Sequence, residues 1–119
     1  MTDLTIGCIY RSDKLRHPLI FLEHINDMEF KAVMLTHSSS KDYSDNIELK
    51  AEHFLTHDQS SKKLFNTQYD DTFYLSQVLI KKNDWGPYYQ SGQLTKEGLD
   101  FILANLKPQP IYWRAYVNC

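Results

Sequence analysis

The stretch RHPLIFLEHINDMEFKAVMLTHSSS, residues 16–40, decides how the rest of the chain folds. Two apolar runs, His17 to His24 and Met28 to Thr36, flank the short polar group Asn26-Asp27. Apolar runs of this length joined by turn-forming residues are the layout of a β-hairpin. In the first run Leu19 and Phe21 fall on one face and Ile20 and Leu22 on the other, which predicts a central strand covered on both sides. In the second, Ala32, Met34, Thr36 and Ser38 share one face while Val33, Leu35 and His37 share the other. Antiparallel pairing brings the outer ends together, so Arg16, His17 and Pro18 meet Thr36, His37 and Ser38 at one rim.

Working outward, Leu4 to Arg11 reads as a first strand, with Gly7 marking a bulge or the close approach of another backbone. Ser38 to Asn46 is polar and serine-rich, an exposed loop placed to contact a ligand at the rim. Ile47 to Leu55 alternates like a strand but also holds good helix formers; a strand is the expectation. Asp71 to Lys81, DTFYLSQVLIK, reads as one further strand, and Asn83 to Gly92 as a turn-rich segment carrying Trp85, Tyr88 and Tyr89. A helix is predicted next. Thr95 serves as its N-cap, Glu97 sits in the first turn, and Leu99, Ile102, Leu103 and Leu106 make its apolar stripe before Pro108 ends it. Ile111 to Val117 alternates as a last strand. Many short strands with one late C-terminal helix predict a mainly β (α+β) fold, a strongly bent sheet or small barrel.

A chain of 119 residues, 42% of them hydrophobic, supports one core, so residues 1–119 are expected to form a single domain. The formal net charge of −2 argues against strong non-specific binding to nucleic acid. Two cysteines, Cys8 and Cys119, are too few for a disulfide scaffold, and the start MTDLTIG lacks the basic-then-apolar order of a signal peptide. With no apolar run long enough to span a bilayer, the expectation is a reduced, cytoplasmic protein away from the membrane.

The rim holds the parts for cleaving a phosphodiester in RNA without a metal or cofactor. That reaction needs a base for the 2′-hydroxyl proton, an acid for the leaving oxygen and a cation on the phosphate. Arg16 supplies the cation, His17 and His37 the proton transfers, and Thr36 and Ser38 hydrogen bonds to phosphate. Ser39 and Trp85 extend the substrate-binding set, since exposed aromatics stack unpaired bases. The same residues also have an ordinary structural reading: a histidine beside a proline, a solvated arginine, the start of a loop and an aromatic closing a small core.

Other clusters are weaker. His53 and His57, four apart, would share a helix face, but the glutamate of a zinc-binding HExxH pattern is absent and surface histidines are the expectation. Asp70-Asp71 reads as a turn, and Cys8 as a small core side chain.

In its order of segments the chain resembles the PemK/MazF/CcdB-like toxin superfamily. The residues carrying the likeness are Gly7 in the opening strand, Arg16-His17-Pro18 at the start of the next, Thr36-His37-Ser38 at the end of the third, and the late helix. Departures are histidine where arginine usually precedes the proline, the acidic balance, and the extension Gln109 to Cys119. The resemblance implies an SH3-like β-barrel homodimer. Many members are endoribonucleases that cut single-stranded RNA and are neutralised by an antitoxin, while the CcdB branch instead binds DNA gyrase. Carried over, the family's phosphate-binding arginine falls on Arg16 or His17 and its catalytic threonine on Thr36. Two further readings stand beside this one: a non-catalytic protein-binding module on the same fold, and a plain structural domain.

Overall fold

The hairpin forms where its two apolar runs place it. In the computed structural model, which describes residues 4–15, 17–36, 45–58, 62–65, 72–82 and 87–112, strand β1 is Cys8–Arg11, β2 Leu19–His24 and β3 Glu29–Thr36. β2 and β3 pair antiparallel, Leu19 with Met34, Ile20 with Val33 and Phe21 with Ala32, before a bulge shifts the register. The turn is held by Asn26, whose Oδ1 accepts from the N–H groups of Met28 and Glu29 at 2.8 and 2.9 Å. β1 flanks β2 on its other edge, so β2 is central. Leu19 and Phe21 enter one core cluster and Ile20 and Leu22 the other, as a strand apolar on both faces requires.

The remaining strands are β4 (Asn46–Leu49), β5 (Thr72–Leu75), β6 (Gln77–Lys82), β7 (Tyr89–Gln93) and β8 (Lys107–Tyr112). Here the sequence expectation of one strand over 71–81 is corrected. Ser76 splits it: its N–H and Oγ both donate to the Asp45 carbonyl, at 2.9 and 2.8 Å, and its own carbonyl accepts from the Lys107 N–H at 2.8 Å. Both pieces pair with β3, β6 along its first half and β5 at Leu35 and Thr36. Beyond them β5 pairs with β4, and β6 pairs in parallel with β8.

One hydrogen-bonded path therefore runs β4-β5-β3-β2-β1-β7 within an eight-stranded sheet. Its two ends return to each other where Phe54 bridges Leu94 and the Leu55 N–H donates to the Gln93 carbonyl at 2.9 Å. Among the described residues a single bridge makes that junction, so the sheet is strongly curled without being a closed barrel. Gly7 helps the curl. With φ at +83° it adopts a conformation open mainly to glycine, its N–H donating to Phe21 and its carbonyl accepting from Leu94.

Helix α1 (Lys96–Ala104) covers one face of the curl. Thr95 caps it as expected, its Oγ1 accepting from the Gly98 N–H at 3.0 Å. Ile102 is fully buried, and Leu99, Phe101 and Leu106 pack beside it. Two expectations are corrected here. Leu103 is 46% exposed rather than part of the buried stripe. The helix stops at Ala104, with Asn105 as its C-cap, before Pro108 is reached; Pro108 and Pro110 belong instead to β8, a strand that begins earlier than predicted. The stretch expected as one strand over 47–55 is β4 followed by a 3₁₀ turn, η1 (Ala51–His53). Among the described residues no helix is long and apolar enough to cross a membrane.

Candidate functional site at the hairpin rim

At the outer end of the hairpin the Leu35 N–H donates to the Pro18 carbonyl at 2.9 Å. Proline has no N–H to return, so this pair is held by one bond. The pairs Leu19 with Met34 and Ile20 with Val33 share this register. His17 precedes β2, next to Pro18, and Thr36 ends β3, next to Leu35. His17 is half-buried, whereas Thr36 is only 5% exposed and also pairs with Phe73 of β5. Pro18 and Thr36 thus lie at the same lip, as the pairing of the two runs predicts. Arg16, His37, Ser38, Ser39 and Trp85 lie outside the described residues.

A structural bracket that the sequence does not reveal stands between β5 and β6. Asp45, just before β4, holds Ser76 through its carbonyl and pairs through its carboxylate with Lys107 at 2.7 Å. The place where one strand splits in two is thereby tied to the starts of β4 and β8.

The two other histidines do different work. His53 is buried in η1, its Nδ1 accepting from the Lys50 N–H at 3.0 Å and its ring stacked on Phe101 at 4.8 Å. His57 is exposed and hydrogen-bonded to Thr56 Oγ1 at 2.8 Å. They share no helix, because the chain makes only a 3₁₀ turn there, and the expectation of two surface histidines is corrected for His53. Among the described residues no cluster of His, Cys, Asp or Glu has the makings of a metal site.

Cys8 sits in the core, 4% exposed, where burial pushes its thiol up; a Tyr10 hydrogen bond opposes this and the Asp58 charge adds to it. A thiol held protonated is a poor nucleophile. Tyr88 closes the core against Phe30, edge-on at 5.7 Å, with its hydroxyl donating to the Lys82 carbonyl at 3.0 Å. Tyr89 and Tyr112 are exposed. The pair Asp70-Asp71 lies outside the described residues.

Two features go beyond what sequence patterns suggest. The hydroxyls of Thr72 and Tyr74 are buried on one face of β5 without a hydrogen-bond partner. An apolar groove of about 300 Å³ runs between the end of α1 and β8, lined by Ile6, Leu22, Leu103, Leu106 and Pro110, with the Glu23–Lys31 ion pair (3.1 Å) on its wall.

No protein-family model, no curated protein and no solved structure matches the chain. A functional reading rests on the chain's own residues and their geometry.

Proposed function

We propose that the chain is a toxin-like, metal-independent endoribonuclease acting on single-stranded RNA, its curled sheet an open variant of the SH3-like barrel of the PemK/MazF/CcdB-like superfamily. The single observation that carries this reading is the Leu35 N–H to Pro18 carbonyl bond, which keeps the start of β2 beside the end of β3 and so supports a site shared by His17 and Thr36. In the reaction, the RNA 2′-oxygen attacks phosphorus and the bond to the 5′-oxygen breaks. One histidine of the pair His17 and His37 takes the 2′-hydroxyl proton and the other protonates the leaving 5′-oxygen. Arg16 offsets the charge that builds on the phosphate. Thr36, at the edge of the core, and Ser38 hydrogen-bond the phosphate oxygens, and Ser39 and Trp85 contact the flanking nucleotides. The same proposal makes the protein a cytoplasmic homodimer neutralised by an antitoxin.

The test is cleavage of single-stranded RNA by the purified protein in excess chelator, with His17→Ala and Thr36→Ala in parallel and thermal melts as the control for folding. Cleavage that survives chelator and is lost in both folded variants supports the proposal. A wild-type protein that leaves RNA intact overturns it, and equal cleavage by all three proteins overturns the site. A second reading, a non-catalytic protein-binding module on the same fold, is favoured by the apolar groove beside α1. An inert protein that forms a stoichiometric complex with a cellular protein would establish it.

A further inference from the structure

We draw no further inference here: the strongest candidate, the apolar groove between the end of helix α1 and strand β8, belongs to the binding reading already given, and nothing in the structure shows what covers it.

Discussion

Leu35 and Pro18 are joined by one hydrogen bond of 2.9 Å, and that bond keeps the central hairpin in register to its rim. A slip of one residue would turn every side chain of β2 to the opposite face, so the register that this bond extends governs what the start of β2 presents beside the end of β3. On the proposed function, Thr36→Val keeps the β-branched shape and removes only the hydroxyl. It is expected to lower stability by about 1 kcal/mol while abolishing most RNA cleavage. His17→Ala is expected to reduce cleavage by roughly 10²-fold or more, the scale of a lost general acid or base. Single-turnover cleavage together with denaturant midpoints checks both, and a Thr36→Val protein with undiminished cleavage removes the hydroxyl from the mechanism.

Gly98 in helix α1 lies against the backbone of η1. A Cβ at this position would stand 2.3 Å from the His53 carbonyl oxygen, and the same oxygen accepts from the Thr95 N–H at 2.9 Å. Helix propensity alone favours alanine over glycine by about 1 kcal/mol. The contact here is with backbone, which cannot swing aside as a side chain can, so the clash outweighs propensity. Gly98→Ala should lower stability by roughly 1–3 kcal/mol, the usual range for overpacking. Urea denaturation measures it, and a variant as stable as wild type would mean that α1 does not sit this close to η1.

Much of this architecture is written locally. The hairpin, the two-faced β2 and the Thr95 cap each follow from side chains within a few residues, and each appears where the pattern places it; the first strand, expected from Leu4, starts only at Cys8, after the turn at the positive-φ Gly7. The break at Ser76 is not written locally, because DTFYLSQVLIK holds no glycine or proline to mark a stop. It is imposed by Asp45 and Lys107, partners 31 residues away on each side in the chain for which local propensity carries no signal. His53 was hidden for a related reason: its spacing to His57 suggested a helix face, but the turn ends after one 3₁₀ step once Phe54 is drawn to Leu94. At the rim, pairing logic brought Pro18 and Thr36 together, yet it gave no warning that Thr36 would be flanked by β5 as well and so enclosed.

Adjacent residues of α1 should respond in opposite ways. Ile102 is fully buried in the core beneath the helix, while Leu103 is 46% exposed beside the groove. Ile102→Ala removes buried methylenes and leaves a cavity, which typically costs 2–5 kcal/mol, about as much as a small domain can lose. Leu103→Ala should change stability by less than about 1 kcal/mol. Paired thermal melts test the orientation of the helix, and comparable losses for both variants would show that Leu103 is covered in solution.

Tyr74 gives the fold an alkaline limit. Its hydroxyl is buried without a partner, and burial pushes its pKa up from the ordinary value of 10.0 to about 12. The phenol is neutral when protonated, so a raised folded-state value means that the fold favours the protonated form. This contribution is fully present below pH 10 and is lost as pH rises through about 12. Tyr10 and Cys8, both also raised by burial, add to the same alkaline limb. Tyr74→Phe should leave stability at pH 7 unchanged or higher by up to about 1 kcal/mol, since no hydrogen bond is given up. Stability measured from pH 8 to 12 should fall less steeply in the variant. A variant clearly weaker at pH 7 would show that the hydroxyl has found a partner.

The last prediction concerns the free side of β8. Lys107 turns its N–H to Ser76 and Gln109 accepts from the Gln77 side chain, while the pairing with β6 shifts register between Lys107 and Ile111, the stretch that holds Pro108 and Pro110. Among the described residues no strand pairs with that outer side. An exposed strand edge invites pairing with another chain, and proline removes the donors such pairing needs. Neither proline is among the residues paired with β6, so their missing N–H groups leave those pairs intact and blunt the strand edge. Replacing them together, Pro108→Val with Pro110→Val, should preserve the fold and restore two backbone donors on a more β-prone strand. Sedimentation velocity should then show concentration-dependent association beyond the wild-type state. An unchanged distribution across concentration, in a variant that melts like wild type, would mean that something other than proline guards this edge.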